Sequence, residues 1–334
     1  MYALEPFIPG PFSYEALAEL LTAAWPESPA SASYYERTDR QRGPDAPRRA
    51  VVRDPAAYQR LVGAVEWGSH LWLRDGAHFL VTAAVHPEHR RRGLGERLLH
   101  HALSALPTGC QGSVETWTTE DRPEALTFLE RRGFRLRLRS QQSELDLERF
   151  DPERFVRMVR TLEQGGLRIR SLAAGGTDDE TLLHGLHALN AEAIRDAPGG
   201  DRYEPEPFER WRAMYQDNPD FLPEGHLVAL DGPRVVGMTQ LWASLATPAI
   251  VYTGFTGVAR SHRRRGIATA LKLRSLGWAR SLRSADGRRP VVRTGNADTN
   301  PMLALNLRLG FKPRPAVMVL ERRLGGPEEP PVSN

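Results

Sequence analysis

The stretch Val85-His-Pro-Glu-His-Arg-Arg-Arg-Gly-Leu-Gly95 returns later in the chain as Val258-Ala-Arg-Ser-His-Arg-Arg-Arg-Gly-Ile-Ala268. In each copy an apolar run ends in valine, and a glycine follows eight residues on, at Gly93 and Gly266. A helix-like apolar pattern starts directly after that glycine. The two glycines lie 173 residues apart, and a second pair of markers, Arg-Arg-Gly-Phe at 131–134 and Arg-Leu-Gly-Phe at 308–311, lies 177 apart. Two markers with nearly one offset make a duplicated domain the economical reading.

Working outward, 334 residues suffice for two such domains, each with a core of its own. Hydrophobic residues at 40% and charged residues at 26% are globular values and exclude wholesale disorder. A net charge of +4 with 41 acidic among 45 basic residues favours anionic ligands without selecting nucleic acid. The single cysteine, Cys110, excludes an intramolecular disulfide and a cysteine zinc site, and no metal is expected. Residues 1–10 lack a basic start with an apolar segment after it, and no apolar run approaches the ~20 residues that span a bilayer. A cytoplasmic protein without membrane contact is the expectation.

The first half, 1–150, reads as a helix over 12–25 and an irregular connection over 26–47. Strand candidates follow at 49–52, 61–67, 70–73 and 78–85. A helix after Gly93 sets Leu94, Leu98, Leu99, Ala102, Leu103 and Leu106 on one face. Then come a strand at 113–118, a helix at 123–132 and strand material at 134–147. Residues 151–166 read as a linking helix stopped by Gly165-Gly166. The second half, 167–324, repeats the plan: a strand at 167–171, then a helix at 177–195 capped by Thr177 or Asp178. A hairpin across Asp231-Gly232 precedes a strand at 249–258, and the helix at 267–282 follows the second turn. A strand at 290–294, a helix at 301–309 and a strand at 316–324 close it, and the Pro- and Glu-rich tail 325–334 is expected to be disordered. This order implies an α/β fold with a mixed, mainly antiparallel sheet flanked by helices in each half, not a doubly wound sheet.

A helix opening leaves N–H groups without intrahelical partners, and the dipole there favours negative charge. Glycine or alanine at the opening lets a diphosphate approach the backbone, and nearby arginines add charge-assisted hydrogen bonds. A run of three arginines is by itself most often a solvated surface patch. The joint recurrence of strand, turn, helix and Gly-Phe is what argues for a pyrophosphate site. Neither turn contains Gly-Lys-Ser or Gly-Lys-Thr, so a P-loop is excluded, and the three glycines and distant acid of a dinucleotide fold are missing.

These residues resemble the GCN5-related N-acetyltransferase (GNAT) superfamily, twice over. Its acetyl-CoA motif, Arg/Gln-x-x-Gly-x-Gly/Ala after a strand ending in valine, is matched by Arg90, Gly93 and Gly95 and by Arg263, Gly266 and Ala268. The tandem layout is similar to that of mycothiol synthases. The resemblance implies acetyl-CoA as cofactor. It would be held by Val85, Arg90, Arg91, Arg92, Gly93, Leu94 and Gly95 in the first half. In the second, Val258, Arg263, Arg264, Arg265, Gly266, Ile267, Ala268 and Asn300 would hold it, Asn300 matching a helix-start asparagine that contacts coenzyme A.

The tyrosine that in many members protonates the departing thiolate is replaced by Leu129 and Asn306. The strand positions that often carry a basic carboxylate hold Val81, Thr82, Gly254 and Phe255. Arg122-Pro123 stands where the first half would need the asparagine, so the second half is favoured as the active one. Base candidates are Glu66, Glu115 and Glu206, and Tyr252 is placed to face an acceptor. With Asn306, Glu206 and Tyr252 make up the expected catalytic set. His86 and His262 read as surface or phosphate-side residues.

The expected reaction is direct transfer of acetyl to a primary amine of a small molecule or peptide, without an enzyme-bound intermediate. Acidic and aromatic residues between 190 and 221, among them Glu192, Asp196, Tyr203, Glu204, Glu206 and Trp211, suggest a cationic acceptor. The rival reading is a tandem pseudo-acetyltransferase that binds acyl-CoA without turnover. Nucleic-acid binding is disfavoured, because no aromatics interleave with the basic runs. The two copies imply a monomer built as an internal pseudo-dimer, or a homodimer.

Overall fold

The computed structural model describes residues 2–325 except 71–72, 74, 108, 152–163, 174, 217, 245 and 285. The expected linking helix at 151–166 and the tail after Gly325 therefore fall almost wholly outside the described residues. The chain forms two compact units: Met1–Leu138 with Met318–Asn334, and Arg139–Val317. The division runs inside two strands, β6 (Arg135–Asp146) and β12 (Lys312–Arg323).

In the first unit the strand order is β1 (Leu4–Pro6), β2 (Arg48–Asp54), β3 (Ala57–Ser69), β4 (His78–Val85) and β5 (Ser113–Thr119), followed by the Met318–Arg323 part of β12. All pairs from β1 to β4 are antiparallel, and β4 runs parallel to β5. Met318 and Leu320 of β12 pack with Val114, Leu129 and Phe134, and Leu324 N donates to Gly112 O at 2.9 Å. The helices are α1 (Pro11–Ala24), α2 (Ala32–Arg42), α3 (Leu94–Ser104) and α4 (Pro123–Glu130). Leu94, Leu98, Leu99 and Ala102 of α3 are all buried in the core. Each buried leucine contributes about 2 kcal/mol, which fixes the helix whose opening forms the turn.

The second unit orders its strands as the Lys312–317 part of β12, the 139–146 part of β6, β11 (Val291–Ala297), β10 (Ile250–Val258), β9 (Arg234–Ala243), β8 (Leu227–Asp231) and β7 (Leu167–Ser171). β10 and β11 are parallel, whereas β6 pairs antiparallel with β11 from Ser140↔Ala297 to Asp146↔Val291. Its helices are α5 (Glu180–Arg195), α6 (Phe208–Gln216), α7 (Ile267–Ala279) and α8 (Pro301–Arg308). One apolar cluster joins α5 and α6 to β8 and β9, and a second joins α7 and α8 to Val251, Val292 and Leu145. The expected mixed α/β architecture is present in both units.

Several local expectations need correction. The stretch 26–47 is not irregular, for it contains α2, whose Ser31 side chain accepts from Tyr34 N. That helix buries no residue, so it carries no apolar stripe to reveal it. No strand begins at His70; β3 runs on to Ser69, and residues 71–72 lie outside the described set. The cap of α5 is Asp179, whose Oδ1 accepts from Leu182 N at 2.9 Å, not Thr177 or Asp178. Helix α6 and strand β1 were not expected from periodicity. Among the described residues, no helix is long and apolar enough to cross a membrane.

Candidate functional site

The two arginine-glycine turns share one backbone. After Val85 the chain makes a 3-10 turn at Pro87–His89, passes Arg91 at φ 60° and Gly93 at φ 75°, and enters α3. After Val258 it makes a 3-10 turn at Arg260–His262, passes Arg264 at φ 62° and Gly266 at φ 83°, and enters α7. A left-handed residue at the helix opening is why glycine stands there. The first intrahelical bonds are Arg97 N to Gly93 O and Ala270 N to Gly266 O. The amides between, from Leu94 to Glu96 and from Ile267 to Thr269, precede the first intrahelical bond, the arrangement that suits an anion.

The arginines of the turns divide by role. Arg90 Nε donates to Val85 O at 3.3 Å, and Arg263 Nε to Val258 O at 3.0 Å, so the first arginine closes each turn onto its strand. Arg92 is taken up by Tyr2 Oη (2.6 Å) and Glu88 O (3.2 Å). Arg264 and Arg265 make no hydrogen bond or ion pair among the described residues. Two guanidiniums therefore stand ready beside the second turn. Asp196, at the end of α5, accepts from Arg260 Nε (2.8 Å) and Nη2 (2.5 Å) and from Arg263 Nη2 (2.5 Å), which holds its carboxyl well below the usual range. Glu192 Oε1 accepts from Arg260 N at 2.8 Å, so α5 is tied to the turn at two places.

The histidine of the second turn is not a surface residue. His262 is buried, with Nε2 3.1 Å from Asp231 and Nδ1 2.8 Å from Ser261 Oγ. Its counterpart His89 is buried between Tyr2 and Asp54. His86, Glu88 and His89 stand close enough together to hold a metal ion, but Arg60 Nη2 already lies 2.9 Å from both His86 Nε2 and Glu88 Oε2. Burial, then the charge of Arg60, lowers the pKa of His86.

The strands leading into the turns differ. In each unit the parallel pair is short, with β4 meeting β5 only over His78–Leu80 and β10 meeting β11 only over Ile250–Tyr252. Beyond those residues each strand runs on toward its turn without pairing to the parallel neighbour. β4 keeps regular register with β3 throughout. β10 does not: Thr253 faces Leu241 and Thr256 faces Thr239, so Gly254 and Phe255 together oppose Gln240 in a β-bulge. Phe255 N donates to Gln240 Oε1 at 3.0 Å, and Gln240 Nε2 donates to Tyr215 Oη at 2.6 Å. Burial raises the pKa of Tyr215 far above its usual value, so it stays a neutral phenol. A Cβ on Gly254 would lie 2.5 Å from Trp242 Nε1 and 2.7 Å from Gln240 Oε1, so only glycine fits.

The other expected site residues fall as follows. Asn300 caps α8, its Oδ1 accepting from Met302 N at 2.9 Å. Asn306 is 0% exposed; its Nδ2 donates to Asn296 Oδ1 at 2.6 Å, and its own Oδ1 has no partner among the described residues. Tyr252 is half-buried, opposite Trp242 on β9 and beside Arg293 on β11. Glu206 precedes α6, with its carbonyl 2.8 Å from His187 Nε2 and its carboxylate 3.8 Å from Arg210. In the first unit Glu66 accepts from Arg49 Nε at 2.7 Å, and buried Glu115 lies 3.4 Å from His70 and 3.3 Å from Arg137. The roles of Gln240, Tyr215 and Trp242 leave no mark in the sequence, and Asp196 and Trp211 stand out there only as acidic or aromatic residues of the acceptor region. No spacing marks Gln240, since a bulge is set by the pairing of strands.

With this geometry in view, the comparisons with known proteins are informative. The sequence model of the Acetyltransferase (GNAT) family matches residues 14–134 and 189–311. The chain is 28% identical over 258 residues to a mycothiol acetyltransferase of Parafrankia sp. (strain EAN1pec), covering 72% of this chain and 74% of that protein. It is 29% identical over 234 residues to the mycothiol acetyltransferase of Salinispora arenicola, covering 69% of each. Among solved structures, a tandem GNAT protein from the clavulanic acid biosynthesis pathway superposes with a TM-score of 0.71 at 21% identity, covering 98% of this chain and all of that one. A GCN5-related N-acetyltransferase from Sphaerobacter thermophilus gives 0.65 at 21% identity, covering 96% and 95%. The two matched segments together take up most of the chain, and each contains one arginine-glycine turn. The chain thus belongs to the acetyltransferase (GNAT) family, with two domains of that fold in tandem.

Proposed function

We propose that this protein is a cytoplasmic, acetyl-CoA-dependent N-acetyltransferase acting on a primary amine of a small molecule or peptide, with its active site in the second unit. The observation that carries the reading is the bulge at Gly254–Phe255, which lies in the strand that leads to the Gly266 turn. The residues present fit acetyl-CoA. The amides of Ile267, Ala268 and Thr269 with Arg264 and Arg265 suit a pyrophosphate.

Acetyl-CoA supplies an acyl carbon activated as a thioester. Backbone amides of β10 beyond Tyr252, where its pairing with β11 ends, stabilise the charge that develops on the carbonyl oxygen. Gln240 holds those amides in place through Phe255 N. Asn306, wholly enclosed, holds α8 to β11 through Asn296, and Asn300 caps the same helix. Tyr252 and Glu206 are the groups assigned to the acceptor amine, Tyr252 beside the bulge and Glu206 at the start of α6 as the base. As the N–C bond forms and the C–S bond breaks, the amine loses a proton and the thiolate gains one. Glu192 and Asp196 are engaged by Arg260 and Arg263, so the preference for an acceptor that carries positive charge is assigned to Glu204 and Glu206 of the same stretch.

In the first unit the strand is regular, Arg92 is engaged by Tyr2, and Glu96 at the helix opening is paired with Arg132 at 2.5 Å. A carboxylate at that opening disfavours a diphosphate. The mycothiol acetyltransferases among the relatives are in keeping with an amine acceptor. Thiol release from acetyl-CoA over a panel of amines, beside calorimetry with coenzyme A, tests the reading. Turnover with at least one amine is expected; tight binding with no release across the panel would instead make the protein a non-catalytic acyl-CoA binder.

A further inference from the structure

In the second unit four strands set one residue each in a single row across one face of the sheet. Trp242 on β9 faces Tyr252 on β10, Tyr252 faces Arg293 on β11, and Arg293 faces Glu144 on β6. The row spans about 14 Å at ordinary strand spacing. The alternate residues Val251, Val292 and Leu145 pack under α7 and α8, so the row looks to the other face. Glu144 accepts bonds of 2.9 Å from both Arg293 Nε and Arg314 Nη1. The three charged side chains are between 19% and 31% exposed.

Two guanidiniums thus share one carboxylate, and the guanidinium of Arg314 has no other partner among the described residues. Two residues further along the strands, Gly254 and Gly295 remove side chains from the same face. The amides and ring that lean over them belong to Gln240, Trp242 and Gln142. The charged row therefore lies roughly 8 Å from the bulge, one strand across and two residues back.

We infer that this row is the floor of the acceptor site and that the acceptor amine also carries an oxyanion, a carboxylate or a phosphate. Arg314 and Arg293 hold the oxyanion, and Trp242 and Tyr252 line the apolar part between it and the amine. The acceptor is then zwitterionic, its ammonium directed to the acidic side of the cleft and its oxyanion to the arginines. Glu144 fixes both guanidiniums and competes with the ligand for them. The inference rests on acetyl transfer in the second unit but concerns a binding preference, which is read without turnover.

Calorimetry on the full chain loaded with coenzyme A tests it, using matched probes: α- and ω-amino acids beside their carboxamides, and glucosamine 6-phosphate beside glucosamine. The oxyanion member of one series is expected to bind at least tenfold tighter than its neutral partner, and the series that shows this separates carboxylate from phosphate. Arg314→Ala should weaken the oxyanion member about tenfold, with the coenzyme A affinity serving as the check on folding. Glu144→Gln should strengthen it a few-fold, an opposite sign that a merely structural ion pair would not give. Equal binding within every pair, or equal losses for both members in Arg314→Ala and Glu144→Gln, would overturn the inference. Oxyanion preference without thiol release in the same mixtures would support the subsite and remove the acetyl-transfer reading alone.

Discussion

The turn at 85–95 and the turn at 258–268 trace the same backbone, down to a left-handed arginine and a left-handed glycine two residues later, yet the strands that feed them differ. β4 is regular, and Glu66 on the neighbouring strand is spent on Arg49. β10 is bulged, and Gln240, at the position that corresponds to Glu66, spans the bulge to a buried tyrosine. The comparison teaches that the motif specifies the backbone of the turn, which both copies keep, whereas the register of the strand before it is set separately, and only β10 carries the bulge.

The largest expected effect separates the grips. Valine at φ 83° is strained by ~1–2 kcal/mol and covers amides meant for a phosphate. Gly266→Val should weaken coenzyme A binding more than a hundredfold, about 3 kcal/mol, in protein that still unfolds cooperatively. Gly93→Val, at φ 75°, should change the affinity no more than twofold. Calorimetry on both variants checks this; equal losses would show that the first unit holds the coenzyme as firmly as the second, and the contrast would fail.

What could be read in the chain follows the same division. Gly93 and Gly266 are legible because a left-handed helix opening tolerates little else, and the strands and helices around them carry clear periods of two and 3.6. Asn300 was legible as a residue at a helix start, and the structure shows it as a cap. The bulge was not legible. Thr239-Gln240-Leu241-Trp242 reads as an ordinary strand, and an extra residue in β10 is a fact about its pairing with β9. Nor does β6 carry any mark of its pairing with β11, since strand partners are chosen by tertiary packing. Helix α2 escaped because it is polar all round, with a Ser31 cap and an exposed Glu36–Arg40 pair.

A second contrast lies beneath the turns. Leu99 of α3 is buried in the first unit, and the corresponding position of α7 holds Lys272, 2% exposed, with its ammonium 5.7 Å from the Phe311 ring. Burial lowers its pKa to about 7. The unfolded chain keeps that lysine protonated to about pH 10.4. Between those limits the unfolded state binds more protons, so the stability of the native chain rises with pH there and its penalty is complete below pH 7. Lys272→Leu, which imports the residue of the first copy, should therefore stabilise the second unit by about 2 kcal/mol at pH 6, and the gain should fade toward pH 10. Urea unfolding at the two pH values measures it. A gain that does not vary with pH would mean that the lysine is solvated or paired in the folded chain.

The smallest effect probes the bulge itself. Removing the Gln240 side chain leaves Phe255 N–H and Tyr215 Oη without their partner, and each lost bond to a buried group costs about 1–3 kcal/mol. Part of that cost is relieved if β10 slips toward the regular pairing that β4 already has, which would re-aim its amides beyond Tyr252. The turn at Gly266, five or more residues further on and anchored by His262, Asp231 and Asp196, has no reason to move. Gln240→Ala should therefore lower kcat about tenfold and leave the KM for acetyl-CoA close to its native value. Glu66→Gln, the matching change in the first unit, should leave both unchanged. If Gln240→Ala raised only the KM for acetyl-CoA, the bulge would belong to the coenzyme grip, and register would no longer distinguish the two copies in chemistry.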